Sequence, residues 1–347
     1  IMTPSMEDHL SPVAQLHTLS FSKLLRRYRH EQARLLNAVE SDGFFYLELT
    51  HTDSMELYKD YEQVLQIMKG WFDQPTETKT LFAYGSDVQG YVAPIITGRL
   101  PYSDAPDTRP IGSQTGALEG SRDGFETLRI AQEGLEWQDR PLPEEILQFK
   151  SLFVAFNTKT RFHVLELLSA LSDACGLEGT DRFELAHDGN KTSNSSMTFH
   201  RYPRRDTRNV DNIGHNKHTD ISSIAFLFAQ QWGLQVPAVS SGQHSDSWDW
   251  VRPRPGYAIC NIGDSLCFLS GKRFRSVVHR VLPVAEMEEE HRFSIAYFCR
   301  PMHGTMFRDS EGRMIACDEW FSHKFDIYRA THEEQQKNTV LTGGMEC

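Results

Sequence analysis

NKHTDISSIAFLF, Asn216–Phe228, sets His218 and Asp220 at i and i+2 and runs straight into strand-like apolar sequence. On a strand the two side chains would share a face, because successive residues alternate sides. An imidazole and a carboxylate so placed make either a polar strand edge or two ligands of a metal ion. Both readings put the stretch in β structure, and its neighbours give the fold class.

Downstream of Lys191 come SSMTFHRYP, SSIAFLFAQ, GLQVPAV, WDWVRP, YAICNI, SLCFLSG, SVVHRVLPV and RFSIAYFCRP. These are short β-prone runs separated by Gly, Pro, Asp and Ser, the pattern of an antiparallel barrel or jelly roll. Upstream, apolar residues recur with a helical period. Leu24, Leu25, Tyr28, Leu35, Leu36 and Val39 predict a helix over Ser22–Glu40. A second starts near Ser54, a good N-cap, and a third runs from about Pro143 to Leu171. SDGFFYLEL reads as a turn followed by a short β run. Tyr84–Gly124 is rich in Gly, Ser, Asp and Pro and predicts a long functional loop. Residues from Asp318 onward read as helical. The expectation is one unit of mixed α and β structure. Residues 1–190 form an N-terminal helical region, 191–310 a jelly-roll core, and 311–347 a C-terminal helical segment.

Composition excludes several classes. The formal net charge of −11 speaks against a nucleic-acid binder, which needs a basic face. No apolar run approaches the ~20 residues of a membrane span. IMTPSMEDHLSPV has neither a basic nor an apolar secretory region, and the six cysteines are scattered without a CxxC pair. The expected location is cytoplasmic and the expected partner a small-molecule substrate.

His279 lies in SVVHRVLPV, where on a strand it shares a face with Val277 and Val281 and therefore points inward. A buried histidine needs a hydrogen-bond partner or a metal. Two histidines and a carboxylate leave coordination positions open, as non-haem Fe(II) oxygenases require. In HRFSIAYF, Arg292 and Ser294 share a face opposite Phe293 and Ile295. They form either a surface pair on an edge strand or a guanidinium–hydroxyl clamp for a carboxylate.

HTD, then HRV, then RFS, in that order, resemble the iron- and 2-oxoglutarate-dependent dioxygenases of the isopenicillin N synthase-like family. DGFFYLEL, WFDQPTETKTLF followed by QGYV, RYP at Arg201–Pro203, and NIGDSLCFLSGKRFRSVVHRV extend the resemblance over most of the chain. It implies His218, Asp220 and His279 as iron ligands and Arg292 and Ser294 as the clamp on the distal carboxylate of 2-oxoglutarate. Tyr202 is implied as a further cosubstrate contact, and Gly263 and Asp264 as a turn. The implied fold is a distorted double-stranded β-helix flanked by N-terminal and C-terminal helices. The implied activity consumes Fe(II), 2-oxoglutarate and O2 and oxidises a small organic substrate by hydroxylation, desaturation or ring rearrangement. The long unmatched loop and the aromatic-rich chain look similar to fungal secondary-metabolism oxygenases. Two alternatives stay open: an oxidase of this fold that needs no 2-oxoglutarate, and an inactive binding relative. Phe226, Phe228 and Phe298 are expected near the iron. Arg99 and Arg109 are candidate contacts to an acidic substrate, and substrate choice is expected in the Tyr84–Gly124 loop and the segment after Pro301.

Overall fold

The computed structural model describes residues 12–93, 124–136, 140–203, 215–238, 247–282, 284, 290–328, 330 and 339–343. Two sheets organise it. The larger has eight strands, named here in chain order: β1 (His17–Ser20), β2 (Phe44–Glu48), β3 (Gly90–Val92), β4 (Glu126–Ala131), β5 (Ser196–Tyr202), β7 (Ile224–Ala229), β10 (Tyr257–Ile262) and β12 (Arg292–Cys299). Their spatial order is β1-β2-β10-β7-β12-β5-β4-β3, with only β1–β2 parallel. The smaller sheet runs β6 (His215–His218), β11 (His279–Val281), β8 (Leu234–Pro237) and β9 (Trp248–Trp250). A hairpin, β13 (Met306–Arg308) with β14 (Met314–Ala316), follows near the end.

Helices cover one face of the large sheet. The main ones are α1 (Arg29–Ser41), α2 (Met55–Phe72) and α3 (Lys150–Ala174). Tyr61, Val64, Phe156 and Leu167 from these helices join Phe226, Phe228, Ile295 and Tyr297 in one core. Each such buried aromatic or aliphatic side chain contributes roughly 1.5–3 kcal/mol. The opposite face of the sheet meets the small sheet through Phe44, Tyr46, Tyr202, Leu234, Val236, Ile259 and Val281. A third cluster seats α5 (Cys317–Tyr328) against α4 (Asp264–Leu269) and the hairpin, through Phe268, Phe307, Trp320 and Phe325.

β12 positions the site. It pairs with β7 on one edge and β5 on the other over nearly its whole length. Ile295, Tyr297 and Cys299 face the helices, so Ser294 and Ala296 face the space between the sheets.

The structure departs from the sequence expectations at four places. The helix expected over Ser22–Glu40 is two, Phe21–Leu25 and Arg29–Ser41, interrupted where Arg27 adopts a φ of 56°. The third helix is interrupted at Phe149 and continues to Ala174. The β-prone SLCFLSG forms α4, because a short apolar run buried on all sides has no period that separates strand from helix. The first 190 residues also supply β1 to β4, so they are not only a helical layer. Of the loop expected over Tyr84–Gly124, residues 94–123, with Arg99 and Arg109, lie outside the described residues.

Candidate metal centre

His218 ends β6 and His279 opens β11, directly opposite it in the antiparallel register. Asp220 follows two residues after His218. One ligand atom from each of the three lies within 4.8 Å of the others, and all three side chains are buried. Nε2 of His218 is 3.7 Å and Nε2 of His279 3.8 Å from Asp220 Oδ1. These separations are too long for direct hydrogen bonds and suit three ligands converging on one ion.

Supporting residues aim the ligands. His279 Nδ1 lies 3.1 Å from the Val277 carbonyl, an arrangement that puts the proton on Nδ1 and leaves the Nε2 lone pair facing inward. Asn261 Nδ2 donates to Asp220 Oδ2 at 2.7 Å, which leaves Oδ1 turned toward the imidazoles. Burial opposes ionisation of Asp220, but His279, His218 and the Asn261 hydrogen bond together hold its carboxyl below the ordinary range. Gly263 lets the chain close over this loop. A Cβ there would run into the Ser222 carbonyl, and the adjacent Asp264 N–H donates to the Asp220 carbonyl at 2.7 Å. Asp264 is thus more than the turn expected of it. Its carboxylate anchors Lys324 of α5 at 2.5 Å, with both side chains fully buried.

A cavity leads from the three ligands to Arg292 and Ser294, with Tyr202 on its wall. Arg292 is held by a hydrogen bond from Nε to the Trp232 carbonyl at 2.9 Å, and its guanidinium lies 4.7 Å from the Tyr202 ring centre. Gly233 makes room for it. With a φ of 140°, a Cβ at that position would stand 2.8 Å from Arg292 Nε. Burial lowers the pKa of Arg292, partly offset by Tyr202. Nη1 of Arg292 is buried and has no hydrogen-bond partner among the described residues. A buried, unsatisfied guanidinium N–H asks for an anion.

A second cavity shares His218 and Asp220 with the first. His218 and Asp220 line it together with Arg129, Phe298, Arg300, Phe325 and Tyr328. Phe298 therefore stands where the sequence reading expected it, on the wall of both cavities. Phe226 and Phe228 do not. On β7 it is Ala225 and Leu227 that line the first cavity, while the two phenylalanines pack toward the helices, Phe228 stacking on Tyr61 at 4.6 Å. The sequence reading gave no role to His200, Arg129 or Arg300. His200 sits midway along β5, its pKa pushed down to about 3 by burial and then by Arg129 and Arg292.

Residues 193–301 match the family model described as 2OG-Fe(II) oxygenase superfamily. A 2-oxoglutarate-dependent dioxygenase of Gibberella zeae is 36% identical over 334 residues, covering 96% of this chain and 93% of that protein. The chain belongs to the 2OG-Fe(II) oxygenase superfamily. The oxidoreductase vrtI of Penicillium aethiopicum is 37% identical over 337 residues, covering 96% of this chain and 76% of that one. Among solved structures, a full-length Neurospora crassa protein in complex with alpha-KG shares the fold with a TM-score of 0.69. It is 22% identical, with 90% of this chain and 95% of that chain covered.

The oxygenase is accordingly a 2-oxoglutarate-dependent dioxygenase that uses Fe(II) and O2. Its residues fit both groups. Two imidazoles and one carboxylate form a donor set suited to Fe(II). The unsatisfied Nη1 of Arg292, beside the Ser294 hydroxyl, suits a carboxylate.

Proposed function

We propose that His218, Asp220 and His279 hold the iron of this dioxygenase and that Arg292 and Ser294 hold the far carboxylate of 2-oxoglutarate, with Tyr202 a further contact to the cosubstrate. One observation carries the reading: a single cavity joins a buried His-Asp-His cluster to a buried guanidinium whose Nη1 lacks a partner among the described residues. When bound, Fe(II) and 2-oxoglutarate supply O2 activation, with oxidative decarboxylation to succinate and CO2. The protein's part is to orient and to exclude water. Asn261 and the Val277 carbonyl set the ligand directions, Gly233 leaves space for the guanidinium, and the two sheets shut the cosubstrate away from bulk solvent.

The same reading takes the two sheets as the two faces of a distorted double-stranded β-helix, with residues 191–310 as its core. Residues 1–190 and 311–347 are the flanking regions. The substrate is a small organic molecule of fungal secondary metabolism, supported by the 35–37% identity to fungal proteins over nearly the whole chain. A cytoplasmic site of action is supported by five described cysteines that are all unpaired. No described helix is long and apolar enough to cross a membrane. Anaerobic titration of 2-oxoglutarate into the Fe(II)-loaded protein tests the assignment, followed by succinate measurement on admitting O2. Binding that is unaffected by Arg292→Ala would move the carboxylate to another residue.

A further inference from the structure

An arginine stands at the start of β12 and another just past its end. Arg292, Ser294, Ala296 and Phe298 line the cosubstrate cavity, and Arg300, the next residue in the same alternation, lines the other one. Arg300 lies eight positions from Arg292, roughly 26 Å along an extended chain. The two guanidiniums therefore line different cavities that share His218 and Asp220.

Arg300 is only 7% exposed. Its Nη1 donates to the Asn194 carbonyl at 2.5 Å and to Ser196 Oγ at 3.2 Å, and its guanidinium packs 5.1 Å from the Phe298 ring centre and 5.0 Å from that of Phe321. These contacts hold the group in place. Nε is buried without a hydrogen-bond partner, and no carboxylate among the described residues pairs with Arg300. A buried arginine that only tied two strands together would be expected to carry an acidic partner. Arg129 reaches the same cavity from β4, opposite Thr198 of β5; its charge acts against that of Arg300, while the Asp220 carboxylate acts in favour of it. Asp87 also lines this cavity, beside Asp220. Phe298, Phe325 and Tyr328 supply the apolar walls.

We infer that this second cavity is the primary-substrate subsite and that Arg300, seconded by Arg129, binds a carboxylate of the substrate. The inference rests on the proposed function and adds the substrate's chemical class. The two oxygens of a carboxylate match the planar fork of a guanidinium. Bound there, the carboxylate fixes one end of the substrate while the aromatic walls direct its carbon skeleton toward the iron side.

The test uses the full chain loaded with Mn(II) and 2-oxoglutarate under anaerobic conditions. The probes are benzoate, phenylacetate and hexanoate, each against its primary amide, together with phenyl phosphate. Dissociation constants come from thermal shift, and the 2-oxoglutarate affinity is measured on the same samples. At least one acid is expected to bind about thirtyfold or more tightly than its amide. Arg300→Gln is expected to erase that preference while leaving the 2-oxoglutarate affinity within about twofold. Arg300→Lys keeps the charge and the reach to Asn194 but lacks the planar fork, and is expected to cut the preference about tenfold. It serves also where Arg300→Gln fails to fold. The inference is overturned if no acid binds, if amides bind equally, if phenyl phosphate binds more tightly than the acids, or if both variants retain the wild-type preference. A protein that binds 2-oxoglutarate but none of the acids sinks the subsite alone. One that binds an acid but not 2-oxoglutarate sinks the cosubstrate assignment alone.

Discussion

At the Arg292 end of β12 the guanidinium is gripped by a backbone carbonyl and a tyrosine ring, with a glycine opposite to give it space. At the Arg300 end it is gripped by a carbonyl and a serine between two phenylalanine rings, with a second arginine on the same cavity. The first setting is made largely of strand residues. The second is walled partly by α5, through Phe325 and Tyr328. A cosubstrate common to a whole enzyme family suits the rigid end, whereas a substrate peculiar to one enzyme suits the end whose wall comes from a separate, C-terminal element.

The largest expected effect lies between the two ends and should disable both. His218→Ala, Asp220→Ala and His279→Ala are each expected to lower succinate formation by more than about a hundredfold, beyond what loss of a supporting residue gives. Circular dichroism should show the fold intact, and any one variant with near wild-type turnover at saturating Fe(II) removes that residue from the ligand set. Next is Arg292→Ala, which should separate the ends. It strands a buried carboxylate and is expected to weaken 2-oxoglutarate by about 2–5 kcal/mol while iron binding and the acid preference at Arg300 persist. Loss of both anion sites together would mean that the two cavities behave as one.

Asn261→Ala should come third. The Asp220 carboxylate keeps its place but loses the donor on Oδ2, so metal affinity is expected to fall about 10- to 100-fold, read by Mn(II) titration. An unchanged affinity would show that the backbone around Gly263 alone orients Asp220. Ser294→Ala is the smallest, with an expected loss of about 1 kcal/mol in 2-oxoglutarate binding, because a neutral hydroxyl only assists the guanidinium. An effect as large as that of Arg292→Ala would make the hydroxyl an equal partner.

These two ends were unequally legible in the sequence. RFS could be read because strict alternation on a strand puts Arg292 with Ser294 on one face, whichever tertiary partners surround them; HTD was read by the same alternation, although β6 ends at His218 and Asp220 lies just beyond it. Arg300 obeys the same alternation, and counting on from Ser294 would have found it. What hid it was the strand's end, where periodicity no longer says whether the chain keeps its direction. Arg129 was hidden for another reason. β4 becomes a strand through pairing with β3 and β5, and its contact with β5 joins residues some 70 apart, which no local pattern records. Phe226 and Phe228 fell on the wrong side because β7 is apolar on both faces. Only the helices packed against it decide that Phe228 meets Tyr61 and that Ala225 faces the cavity.

The double pairing of β12 also limits how this enzyme can change over generations. A strand hydrogen-bonded on both edges cannot absorb an inserted or deleted residue, since a slip by one position would turn both arginines into the helical layer and bring Ile295 and Tyr297 into the cavities. New substrate preferences in this lineage should therefore arise by exchanging the side chain at position 300 and those facing it from α5. The count of residues from Arg292 to position 300 should stay constant among homologues, even where the arginine at its far end has been replaced.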